Sequence, residues 1–93
     1  MVPCIVVCHF QLPVPTEAQF IDIARRSAPM FRQLGERGLI SKDYVRGEGG
    51  AGGVYVWESR AAAEAWFTEA KLAEYTQIFG ARPTLTWYDA HLT

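Results

Sequence analysis

Five side chains hold most of the chemistry that this chain offers: His9, Lys42, Tyr44, Tyr55 and Trp57. His9 closes an apolar stretch, and imidazole is the side-chain type suited to proton transfer near neutrality. Tyr55 and Trp57 alternate with Val54 and Val56, so on a strand both rings share one face. Helices rest on smaller aliphatics, which assigns Tyr55 and Trp57 to the face that no helix covers. By the same reasoning Ile5, Val7 and His9 point away from the helices, while Val6, Cys8 and Phe10 meet them. Lys42 and Tyr44 join the open face from the neighbouring strand, which leaves Asp43 beneath the helices. A parity slip of one residue exchanges the two faces of a strand, so these assignments stand or fall strand by strand. Such a face serves either as an aromatic ligand cavity or as plain packing between two copies of the chain.

Other constellations fail on geometry. Gly47-Glu48-Gly49-Gly50-Ala51-Gly52 matches the dinucleotide fingerprint letter for letter, but that fingerprint works by opening a helix onto the pyrophosphate. Here the glycines open a strand and read as a flexible hairpin connection. Cys4 and Cys8, sharing one strand, lie about 13 Å apart at roughly 3.3 Å per residue. A disulfide needs Cα atoms within about 7 Å, so they read as two buried thiols. His9 and His91 end neighbouring antiparallel strands at opposite ends, on the order of 20 Å apart, and no metal site follows. Ser27, Ser41 and Ser59 show no nucleophile-elbow pattern, and Asp22, Glu64, Glu69 and Glu74 read as solvated helix faces.

The totals bound the rest. Ninety-three residues make one domain, near the size at which a single core is only just sufficient. A hydrophobic share of 49% describes a globular chain, and 13% aromatic residues call for a cavity, a subunit interface, or both. A net charge of −1 gives no basic footprint for nucleic acid. No apolar run approaches the roughly 20 residues of a membrane span. The opening Met1-Val2-Pro3-Cys4 lacks a basic export segment, so a cytoplasmic protein is expected.

The elements that must position these residues follow in order. Residues 3 to 11 form a strand covered on both faces, stopped by Pro13-Val14-Pro15. Thr16 and Gln19 have capping-box spacing, and Phe20, Ile23, Ala24, Ser27, Phe31 and Leu34 make the apolar stripe of a first helix. Pro29 predicts a kink or a break in it, and Gly35 and Gly38 bracket its exit. Leu39 to Arg46 is a charged edge strand, and Val54 to Trp57 a central one. Ser59 caps a second helix from about Arg60 to Ile78, with Ala63, Trp66, Phe67, Ala70, Ala73 and Gln77 inward and Gly80 ending it. Thr84 to His91 is the last strand, with Leu85, Trp87 and Tyr88 as its bulk. The order β-α-β-β-α-β is the α+β ferredoxin-like arrangement, a four-stranded antiparallel sheet with both helices on one face. Its uncovered face predicts a homodimer, sheet against sheet.

Three segments carry a resemblance: Cys8-His9-Phe10, Gly38-Leu39-Ile40-Ser41-Lys42 with Tyr44, and Ala51-Gly52-Gly53-Val54-Tyr55-Val56-Trp57. Together they resemble the YdhR-type monooxygenases of the dimeric α+β barrel superfamily, related to the antibiotic-biosynthesis monooxygenases. The resemblance spans nearly the whole chain, and its most specific part is the Ala-Gly-Gly-aliphatic-Tyr stretch. It implies a homodimer with a pocket between each sheet and its helices or at the sheet junction. It also implies oxygenation of a small aromatic or quinol-like substrate without metal, flavin or haem. In that reading His9 is the base, Tyr55 or Lys42 donates a hydrogen bond to the developing oxyanion, and Tyr44 and Trp57 stack on the substrate ring. The same fold also hosts isomerases and cyclases that need only acid–base chemistry, and ligand-binding dimers with no turnover.

Overall fold

Strand β1 (Cys4–Phe10) leads to helix α1 (Glu17–Gln33), a 3-10 turn (Leu34–Arg37) and strand β2 (Leu39–Gly47). Strand β3 (Gly50–Trp57), helix α2 (Arg60–Trp66), helix α3 (Glu69–Phe79) and strand β4 (Thr84–Asp89) complete the chain. These elements belong to a computed structural model, which describes residues 2–11 and 16–91. The expected Pro13–Pro15 stop lies outside the described residues. All pairings are antiparallel, in the order β2-β3-β1-β4, so the two central strands are β3 and β1. This is the ferredoxin-like βαββαβ fold with its second helical segment split in two.

Local sequence chemistry accounts for most of the boundaries. The Thr16 hydroxyl accepts from the Gln19 N–H at 3.2 Å while the Gln19 side chain accepts from the Thr16 N–H at 3.0 Å, closing a capping box. Ser59 accepts from the Ala62 N–H at 3.1 Å and starts α2. Gly80, in the left-handed conformation at φ 78°, ends α3. Cys4 and Cys8 are both buried free thiols.

Several expectations are corrected. Pro29 does not break the first helix in two, because α1 runs unbroken to Gln33. Pro29 is exposed, so the carbonyl that loses its partner can turn to water. The second helix does break, at Phe67–Thr68, where Thr68 accepts from the Lys71 N–H at 3.2 Å and caps a new helix. That break resets the helical phase, so Leu72 and Tyr75 are buried while Ala70, Ala73 and Gln77 face out. Most of the glycine run is strand, with only Glu48 and Gly49 between the paired Gly47 and Gly50. The last strand ends at Asp89, short of His91.

The largest correction is the parity of two strands. Val6 pairs with Tyr55 and Cys4 with Trp57, so both rings share the helix-covered face with Cys4, Val6, Cys8 and Phe10. Tyr55 is 2% exposed and Trp57 0%. Lys42 pairs with Tyr55 and therefore also lies beneath the helices, as does Tyr44 opposite Gly53. A bulge between Leu39 and Ser41 ejects Ile40, which lets Leu39 and Lys42 both face inward. Asp43 consequently sits on the open face with Val54 opposite it. The large rings of β3 lie under the helices, and its valines lie on the outer face.

Gly52 shows why glycine is required in this run. A Cβ there would collide with the Cys8 carbonyl oxygen of β1. Gly47, by contrast, has open space around it. Gly52→Ala is expected to cost roughly 3 kcal/mol or more in urea unfolding, and Gly47→Ala to stay within about 0.5 kcal/mol of the parent. Equal effects would show that β1 and β3 do not need this close approach.

Candidate functional site

One amine enters the helix-covered layer, that of Lys42 on the β2 edge strand under α1, where it is half-buried. Its Nζ lies 3.1 Å from the Phe31 ring centroid, 4.2 Å from that of Tyr44 and 4.8 Å from that of Tyr55. No carboxylate among the described residues forms an ion pair with it. Its sequence neighbour Asp43 is on the other side of the sheet. Gly53 provides the room, since a Cβ there would stand 2.8 Å from the Lys42 Cε and 3.1 Å from the Tyr55 ring. Three ring faces attract the cation but supply no counter-charge. Burial lowers the Lys42 pKa from the ordinary lysine value to about 7, only partly opposed by Cys8. Cys8, in turn, is pushed up to about 12 by burial.

Around the amine the hydroxyls are already oriented. Ser27 of α1 and Tyr44 share a hydrogen bond at 2.8 Å, and the Ser27 hydroxyl lies 2.9 Å from the Ile23 carbonyl. Phe20 and Phe31 approach Tyr44 edge-on, which holds its ring against α1. Deeper in, the Tyr55 and Tyr75 hydroxyls are 3.4 Å apart, and the Trp66 indole N–H donates to Tyr75 at 3.1 Å. Burial raises the pKa of both tyrosines, so each remains a neutral phenol.

Lys42 and Tyr44 line a cleft of about 280 Å³ with Leu39, Ile40 and Ser41 of β2 and with Ala28, Phe31 and Arg32 of α1. That volume sits just below the usual range for small-molecule sites and suits a one- or two-ring ligand. The cleft combines an apolar wall, the Lys42 amine, the exposed Arg32 guanidinium and the Tyr44 hydroxyl. Chemically, it can accept a proton, hold an anion beside the resulting ammonium, or present an amine to an electrophile.

The residues singled out from sequence therefore divide. Lys42 and Tyr44 come together in the cleft, with the Tyr55 ring beneath the amine. Trp57 is buried in the core, stacked on Tyr55 at 6.3 Å, and does not line this cleft. His9 lies on the open face, paired with Gly52 and Thr84, and its ring rests against the hairpin glycines Gly49 and Gly50. The sheet separates it from the cleft. His91 stands beyond the opposite end of β4, and no group of three metal-ligating side chains gathers among the described residues. Phe31, Ser27 and Arg32 complete the site without having been singled out for it. Ser27 carried a signal, as the one hydroxyl in the apolar stripe of α1.

The fold and this cleft define a small α+β domain with a ligand-sized cleft between sheet and helix. No family model matches the chain, and no curated protein does. Among solved structures it is similar to a dimeric ferredoxin-like protein from an uncultured marine organism, with a TM-score of 0.55 and 21% identity. The match covers 99% of this chain and 96% of that one, and it shows the ferredoxin-like fold. No helix among the described residues is long and apolar enough to cross a membrane.

The Lys42 pKa has a signed consequence. The unfolded chain binds a proton that the folded chain lacks between pH 7 and the ordinary lysine value, so stability rises with pH across that window. Below pH 7 the full cost of burying the charge is present. Lys42→Met is therefore expected to stabilise the fold by about 1–3 kcal/mol at pH 6, a figure discounted for partial exposure and ring attraction. Most of that gain should vanish by pH 10 in paired urea titrations. An equal gain at both values would contradict a depressed pKa.

Proposed function

We propose that the chain is a homodimeric, cofactor-independent monooxygenase acting on a small phenolic or quinol-like substrate in the Lys42 cleft. The observation that carries this reading is a half-buried amine with no carboxylate partner among the described residues, walled by rings and open to a ligand-sized cleft. The YdhR-type resemblance of the Gly38–Lys42 and Ala51–Trp57 segments supports it, as does the likeness to a protein described as dimeric and ferredoxin-like. Neutral Lys42 takes the phenolic proton, and the ammonium so formed holds the substrate anion against solvent. The electron-rich ring carbon then bonds to dioxygen. Counted on the keto form of the substrate, one ring methylene and one dioxygen become one ring carbonyl and one water. The substrate supplies every electron. Tyr44, held by Ser27, borders the ring and orients it. This assigns proton transfer to Lys42 in place of His9, which faces away from the cleft.

Oxygen uptake with a panel of hydroquinones and fused-ring phenols tests the reading. The parent protein should consume one dioxygen per carbonyl formed, and Lys42→Met should lower the rate about 100-fold. The rate should climb as pH passes about 7, the value of the Lys42 amine. Loss with His9→Ala but not with Lys42→Met would move the chemistry to the sheet face and overturn it. Product without oxygen uptake would indicate an isomerase or cyclase, and tight binding without product a ligand-binding dimer.

The dimer in this reading forms through the open face, where Ile5 and Val7 of β1 flank Val54 and Val56 of β3. Asp43, Thr84 and Thr86 make a polar margin. Sedimentation should give a dimer for the parent chain and a monomer for Val56→Glu. A parent chain that sediments as a monomer would refute this assembly.

A further inference from the structure

We propose that Lys42 is also a covalent capture site for aromatic aldehydes, forming an imine within the cleft between α1 and β2. The geometry has three parts. The amine lies against the Phe31 ring with Tyr44 beside it, and both rings line the cleft, so an aromatic carbonyl compound meets an aromatic wall. No carboxylate among the described residues pins the nitrogen lone pair by holding a proton on it. Arg32 lines the same cleft, so an aldehyde bearing a carboxylate has a guanidinium to meet its far end.

The chemistry balances without any further reagent. The nitrogen lone pair of the neutral amine attacks the carbonyl carbon, a C–N bond forms, and the carbonyl oxygen takes up a proton. The carbinolamine then loses water and leaves a C=N bond, so one primary amine and one aldehyde give one imine and one water. Nothing is oxidised or reduced. The lowered Lys42 pKa adds to this, since about half of the amine is neutral at pH 7, against under a thousandth for an ordinary lysine.

Only two lysines occur in the sequence, and the other is a built-in control. Lys71 pairs with Glu74 at 2.8 Å and sits 4.2 Å over the Trp66 ring, away from the cleft. This capture shares Lys42 with the oxygenase reading but not the oxidation, so imine trapping and oxygen uptake fail separately.

The test uses 4-formylbenzoate with cyanoborohydride at pH 7, which reduces the imine to a stable secondary amine that peptide mass mapping locates. Labelling of Lys42 should exceed that of Lys71 by about tenfold or more. Benzaldehyde should label Lys42 more slowly than 4-formylbenzoate, and Arg32→Gln should remove that difference. Lys42→Arg should abolish the cleft adduct, while Lys71→Arg should leave it unchanged. Equal labelling of the two lysines in the folded protein would overturn the proposal. An undiminished single adduct in Lys42→Arg would overturn it as well.

Discussion

Two rings on alternate residues of β3, Tyr55 and Trp57, lie 6.3 Å apart and within 14° of parallel beneath the helices. The other layers of the core are seated on this pair. Phe31 of α1 meets Tyr55 edge-on at 5.6 Å, and Phe67, at the corner between α2 and α3, meets both rings and then Trp87 of β4. Buried rings of this size fix which face of β3 is inner, and register carries that choice into its neighbours. Lys42 is opposite Tyr55, so sinking the ring also sinks the amine. An unpaired ammonium is costly in such a place, and ring faces offset part of that cost. The unusual electrostatics of Lys42 thus follow from aromatic packing.

The same parity leaves the centre of the second face to aliphatics, with Tyr88 of β4 exposed beside them. Ile5, Val7, Val54 and Val56 form a surface with little polar content at its centre. In the proposed function the two faces have separate tasks. Chemistry belongs to the cleft under α1, and association belongs to the valine face. His9 falls on the association side, beside the hairpin.

Much of this arrangement was readable from residue order. The capping pair Thr16 and Gln19, the Ser59 cap and the Gly80 stop are local signals, because each depends on hydrogen bonds within a few residues. Topology followed from element order, and the charged β2 was rightly an edge. Strand parity in β2 and β3 was not readable. Val54-Tyr55-Val56-Trp57 is apolar on both faces, so period-two alternation has no polar side to mark solvent. Asp43 was the available clue, since an unpaired carboxylate under helices is costly. The bulge at Ile40 hid it, by shifting alternation within a strand whose start was correctly placed. The split of the second helix was missed for a related reason: Thr68 is a weak stop until its hydroxyl is seen to cap the next turn. The cleft needed α1 laid over β2, and no local pattern specifies that contact.

The central claim is that packing on Tyr55 and Trp57 leaves Lys42 a neutral, available amine near physiological pH. Nuclear magnetic resonance titration of protein labelled with ¹³C-lysine reads this directly, because only Lys42 and Lys71 contribute side-chain signals. One lysine, assigned to position 42 by its loss in Lys42→Arg, should titrate at about 7. Two lysines titrating together near the ordinary lysine value of about 10.4 would contradict the account.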